Sequence, residues 1–197
     1  EFDVMLSADD TLYVIHDDAL KRTTNGRGLM HATHDDYLQN LDAGRWFSRH
    51  FRNERIPTFE QVIQWLCFTG IQANIEIKPL AANAEKTAWA VMTVLSRLWP
   101  SQLDLPLLSS FNYTVLEVCR SIAPEHPIGY LMHDWHDHWA SHIDALQAST
   151  CHVNYKILNA DRAQAIKASG CLLASYTVNK KRQAKKLFNY GVDAIFS

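Results

Sequence analysis

From Pro57 to Ser197 the chain alternates between short apolar runs and longer stretches with helical periodicity, and this narrows its fold more than any other feature. TFEQVIQWLC puts Phe59, Val62, Ile63 and Leu66 on one helical face, with Thr58 placed as an N-cap. ANIEIK follows as a short strand, and NAEKTAWAVMTVLSRLW as a helix with Val91, Leu95 and Leu98 in register. The pattern continues through LPLLSSF, TVLEVCRSI, PIGYLM, HDHWASHIDALQA, CHVNYKI, ADRAQAIKAS, CLLASYTVN, KRQAKKLFNYG and VDAIFS. Gly170 and Gly191 stand where helices end in a left-handed residue. Strands and helices in strict succession, joined by short connections, predict right-handed βαβ units and a parallel sheet. With the opening EFDV, seven segments qualify as parallel strands. A (β/α)8 barrel needs one more βα unit, which would precede residue 1. An open doubly wound sheet is the rival architecture, but no glycine-rich dinucleotide fingerprint accompanies it.

Residues 17 to 57 break the rhythm: RTTNGRG carries the turn signal Asn25-Gly26, and the stretch predicts a small insertion after the second strand. The 197 residues fit one domain spanning 1–197 with that insertion. Hydrophobic residues make up 47% and charged residues 20%, which excludes disorder, and a net charge of −2 provides no overall basic field for nucleic acid or anionic membrane. The tryptophans are scattered, so no aromatic nucleic-acid platform forms. Cys67, Cys119, Cys151 and Cys171 are widely spaced in apolar stretches with no C-x-x-C pair, as expected of reduced thiols in a cytoplasmic protein. No signal peptide or bilayer-length apolar run is present, so no stable membrane insertion is expected.

In a barrel, chemistry sits at the C-terminal ends of the strands. There the sequence places Glu1 and Asp3, then Glu76 and Lys78, then Ser109, Ser110 and Phe111, then Asn154 and Lys156, then Tyr176 and Asn179. Glu1 and Asp3 share one strand face, as do Glu76 and Lys78. A charge on the inward face of an apolar strand such as IEIK costs several kcal/mol (about 2 or more) unless paired or metal-bound. Three carboxylates from two strands suit Mg2+ or Ca2+, and a lysine beside them suits a phosphate. Spacing alone slightly favours Glu76 and Lys78 as a structural ion pair at a strand end. His16 closes the apolar run TLYVIHDD near these acids and is a candidate general acid or base, or else a hydrogen-bonded loop histidine. The dense histidines of MHDWHDHWASH (His133, His136, His138 and His142) read as the solvated start of an amphipathic helix rather than a zinc site, since no H-E-x-x-H occurs. KKRQAKK reads as the wet face of a late helix, with Leu187 and Phe188 inward.

EFDV, VIHDDALKRTTNGRG, LDAG, IPTFEQV, NIEIKP, LLSSF, YTVN and GVDAIFS occur in the order found in glycerophosphodiester phosphodiesterases. The chain resembles that family over its whole length, closest to its cytoplasmic bacterial enzymes. The resemblance implies a TIM-type barrel, with Glu1, Asp3 and Glu76 as ligands of a divalent cation, Mg2+ or Ca2+. It implies that His16 is one of two catalytic histidines, that Lys78 lies near the phosphate, and that Phe111 and Tyr176 line the substrate pocket. Many relatives carry tryptophan at the Tyr176 position. The implied reaction is hydrolysis of small glycerophosphodiesters such as glycerophosphocholine or glycerophosphoethanolamine to sn-glycerol 3-phosphate and an alcohol. In the family mechanism the 2-hydroxyl attacks phosphorus, and water then opens the cyclic phosphate.

The family's first strand, with a His-Arg-Gly motif holding the second histidine and a phosphate-binding arginine, does not occur in these residues, nor does its last helix. The expectation is therefore a barrel whose first βα unit and last helix lie outside this chain, with activity belonging to the parent protein and little turnover in the isolated piece. A non-catalytic barrel that binds phosphorylated ligands or a protein partner is the alternative. Lysophospholipid diesters rank behind soluble ones, because no membrane-docking amphipathic helix is legible. Helix surfaces allow oligomers without specifying a seam.

Overall fold

The computed structural model describes residues 1–197 except the side chain of Ala81. Its contacts divide into two compact units, Glu1–Pro106 and Leu107–Ser197.

In the first unit, β1 (Phe2–Leu6) turns back through a tight connection into β2 (Leu12–Val14), and the two pair antiparallel with Val4 opposite Val14. The 17–57 stretch follows, holding two short 3-10 turns and the four-residue α1 (Asp35–Leu38). Beneath it lies an apolar cluster of Met5, Tyr13, Ile15, Leu20, Met30, Leu38, Leu41 and Ile56. The regular part then begins with α2 (Phe59–Thr69), which Thr58 caps in a reciprocal capping box with Gln61. Phe59, Ile63 and Leu66 are buried along its predicted face, and Val62 is half-buried at the edge. β3 (Asn74–Ile77) pairs parallel with β1, and α3 (Ala84–Leu98) buries Val91 and Leu95 as the periodicity predicts.

The second unit repeats one motif. β4 (Leu107–Ser110), α4 (Tyr113–Ile122), β5 (Ile128–Met132), α5 (Trp139–Leu146), β6 (Thr150–Asn154), α6 (Ala160–Ala168), β7 (Leu172–Tyr176), α7 (Lys181–Asn189) and β8 (Ala194–Ile195) follow in order. Each strand pairs parallel with the next. Gly170 and Gly191, just past α6 and α7, take the left-handed backbone expected of them, with φ of 86° and 92°. Sequential parallel strands alternating with helices are the organisation of a TIM-type (β/α)8 barrel, and this is the fold class of the chain. All four cysteines are free thiols. No helix is long and apolar enough to cross a membrane among the described residues.

Two expectations are corrected. On α7 Leu187 is buried and Ala184 packs against the same core, whereas Phe188, one residue and about 100° further round from Leu187, is 48% exposed. The histidine block is not simply solvated. The hydroxyl of Tyr130, on β5, hydrogen-bonds both His136 Nε2 (2.8 Å) and His142 Nδ1 (2.9 Å), which draws these two rings onto the protein.

His152, on β6, is a deeply buried histidine of the repeat, 2% exposed, with Nε2 2.8 Å from the Thr150 hydroxyl and Phe196 beside its ring. Room for the ring comes from Gly129 on β5, the register partner of Thr150, where a Cβ would lie 2.8 Å from the Thr150 hydroxyl and 3.0 Å from His152 Cε1. Burial pushes its pKa down to about 4 from 6.5. Because the folded pKa is the lower one, the unfolded chain takes up a proton first. This contribution is therefore absent above pH 6.5 and destabilises progressively as pH falls through the window from about 6.5 to about 4. Acid unfolding of a His152→Gln variant should be shallower than that of the parent over that window, by up to about 3 kcal/mol in the difference. Identical acid limbs in urea titrations would refute the assignment.

Candidate active site

The first unit assembles its charged groups through strand register. β1 and β3 run parallel with Asp3 opposite Glu76, so the pleat sets both carboxylates side by side on one face. Glu1 precedes Asp3 on that face and Lys78 follows Glu76. Oxygens of Glu1, Asp3 and Glu76 all lie within 4.8 Å of one another. Asp3 is buried, Glu76 half-buried, and Glu1 stands at the exposed end. The Lys78 ammonium is 3.6 Å from Asp3 Oδ1 and donates to the backbone carbonyl of His16 at 2.6 Å.

One ammonium does not balance three carboxylates. Burial, followed by the charge of Asp3, pushes Glu76 up to about 8, with Lys78 pulling the other way. Glu1 is shifted upward by the same two causes. Three hard oxygen donors with surplus negative charge fit a hard divalent cation such as Mg2+ or Ca2+. Among the described residues this is the one group of three or more acid, His or Cys side chains that converges in this way.

His16 lies just beyond β2, where its Nδ1 meets Asp17 Oδ1 at 2.7 Å. The Arg22 guanidinium grips the same carboxylate through Nε and, at 2.7 Å, through Nη2, and holds Asp17 well below the usual carboxylate range. A carboxylate on Nδ1 sets the imidazole tautomer and leaves Nε2 for proton exchange. Asp17 and Arg22 were not singled out from sequence. The signal was there in the acid directly after His16 and the arginine five residues further on.

In the second unit, Phe111 and Tyr176 meet edge to face, with ring centroids 5.8 Å apart, and Tyr176 Oη donates to the Met132 carbonyl. Phe111 is 44% exposed. Two of the other strand-end candidates bond the backbone. Ser109 and Ser110 are fully buried, Ser110 accepting from Asn112 N, and Asn154 Oδ1 accepts from Lys156 N.

Residues 1–197 match the glycerophosphoryl diester phosphodiesterase family throughout. The chain belongs to that family. A glycerophosphodiester phosphodiesterase from Caldanaerobacter subterraneus is 30% identical over 206 residues, covering 100% of this chain and 80% of the relative. Among solved structures, an Oleispira antarctica phosphodiesterase in complex with the product sn-glycerol-3-phosphate superposes with a TM-score of 0.93 at 36% identity, over 100% of this chain and 79% of that one. A glycerophosphodiester phosphodiesterase from Agrobacterium tumefaciens reaches a TM-score of 0.74 at 25% identity, over 99% of this chain and 81% of its own. The chain is thus a glycerophosphodiester phosphodiesterase by enzyme class, with the TIM-type fold.

Within this family member, the carboxylates crowded across β1 and β3 repel one another. In chelator-treated protein, Glu76→Gln should therefore raise stability at pH 8 by about 1 kcal/mol, measured by urea unfolding. A loss of stability would show that Glu76 is structurally paired.

Proposed function

We propose that this phosphodiesterase hydrolyses small glycerophosphodiesters, such as glycerophosphocholine and glycerophosphoethanolamine, to sn-glycerol 3-phosphate and the alcohol, and that it requires a divalent cation. The observation that carries this reading is the convergence of Glu1, Asp3 and Glu76 with Lys78 tethered beside them at the His16 carbonyl. The product bound to the Oleispira antarctica relative supports the choice of substrate class. Four free thiols fit action in the cytoplasm.

Glu1, Asp3 and Glu76 would hold Mg2+ or Ca2+. When bound, that cation supplies charge neutralisation at a phosphoryl oxygen and a lowered pKa for a coordinated hydroxyl. Lys78 adds a fixed positive charge for the same phosphate without having to be reoriented, since its ammonium is already held. His16 exchanges the proton at Nε2: it takes it from the attacking 2-hydroxyl as the bond to phosphorus forms, or returns it in the opening of the cyclic phosphate by water. The alcohol oxygen leaves with a proton from a second acid, the role the family resemblance gives to its other histidine. Asp17 keeps His16 in the competent tautomer. The family resemblance assigns Phe111 and Tyr176, which meet edge to face within the second unit, to the substrate pocket.

The test is release of choline from glycerophosphocholine by protein expressed from its full coding sequence. His16→Ala should lower kcat by roughly a hundredfold or more with an unchanged melting temperature. Exhaustive chelation should abolish turnover and added Mg2+ or Ca2+ restore it, whereas full activity after chelation would remove the cation from the reading. Binding of glycerol 3-phosphate without any turnover would favour the alternative of a non-catalytic phosphate-binding barrel.

A further inference from the structure

Residues 45 to 52 read RWFSRHFR: three aromatic rings, three arginines and a histidine with no carboxylate, in a chain of net charge −2. The segment is the tip of a loop whose base is tightly held. The buried Asp42 carboxylate accepts from the backbone N–H groups of Gly44 (3.0 Å), Arg45 (2.9 Å) and Asn53 (2.9 Å). Ala43 N donates to the Glu54 carbonyl, and Arg55 ties the loop to the carbonyls of Asn40 and Leu41. A Cβ at Gly44 would lie 2.0 Å from the Phe51 carbonyl oxygen, so the two arms of the loop approach this closely only with glycine there.

Against that rigid base the tip spends its aromatic surface on solvent. Trp46 is 52% exposed, Phe47 71% and Phe51 48%. The rings touch one another, with centroids 5.9 Å apart for Trp46–Phe47 and 5.7 Å for Phe47–Phe51. Arg22 covers one side of Trp46 at 5.9 Å, and the indole N–H is satisfied by the Ala43 carbonyl. Arg49 and Arg52 are exposed and form no ion pair among the described residues.

A contiguous exposed aromatic patch marks a contact surface. Its chemistry selects the partner. Aromatic rings with an arginine rim match the interfacial zone of a bilayer, where rings sit among the headgroups and guanidinium groups meet lipid phosphates. A second copy of this chain meets the patch badly, because a two-fold contact would set three arginines against three arginines. We propose that residues 45–52 dock this protein on anionic membrane surfaces, with Phe47 inserting deepest and Arg45, Arg49 and Arg52 engaging the headgroups. The docking element is a preformed loop rather than a helix, which is why helical periodicity does not reveal it. The proposal goes beyond the catalytic reading and does not depend on it.

The test is sedimentation of the full chain with vesicles of mixed phosphatidylcholine and phosphatidylglycerol, and with vesicles of phosphatidylcholine alone. Binding should occur to the anionic vesicles and weaken with added salt. Arg49→Gln and Arg52→Gln should each weaken it by about fivefold, and Phe47→Ser by on the order of tenfold. All three positions are exposed, so melting temperatures should stay the same. Brominated lipid should quench parent fluorescence more than that of Trp46→Phe. Absence of binding to anionic vesicles, or binding indifferent to Phe47→Ser and to both arginine variants, would overturn the proposal. So would a concentration-dependent dimer that Phe47→Ser abolishes.

Discussion

The pairing of Asp3 with Glu76 across two parallel strands is the contact on which the rest of the site depends. A one-residue slip of β3 against β1 would send Glu76 and Lys78 to the opposite face together, dispersing the acids and withdrawing the ammonium at once. Register is protected by what lies on the other face: Val4, Ile75 and Ile77 are all fully buried, so the apolar alternation that builds the core is also what aligns the carboxylates. Stability and chemistry here share one alternating pattern, read on opposite faces of the same strands.

That sharing explains how much was legible in the sequence. The βαβ rhythm after Pro57 rests on apolar periodicity and caps, which are local signals, and the helix start at Thr58 and the glycines at 170 and 191 are all found in the structure. The three carboxylates were legible for a related reason: period-two alternation puts Glu1 with Asp3, and Glu76 with Lys78. Their mutual closeness was not, since no local rule specifies which strands become neighbours. The apolar run of β2 marks a strand, but its antiparallel return on β1 is a tertiary outcome of the turn after Leu6.

The features that escaped were contacts between side chains in irregular segments. Tyr130 collects His136 and His142 although neither periodicity nor spacing links a β5 hydroxyl to the next helix. The clamp of Arg22 on Asp17 is five residues long in sequence and lies in a loop, where no repeat constrains direction. Phe188 is exposed because it lies about 100° round α7 from Leu187, a step that apolar character alone does not reveal.

The tether between Lys78 and residue 16 has a quieter implication. The lysine is held by a main-chain carbonyl, not by the imidazole. Every L-amino acid placed at position 16 offers the same acceptor, so exchanging the imidazole leaves the Lys78 tether in place and removes only the charge that His16 itself exerts on Glu1. On the proposed mechanism, proton chemistry would rest on the side chain of residue 16 and the placement of the lysine charge on its main chain.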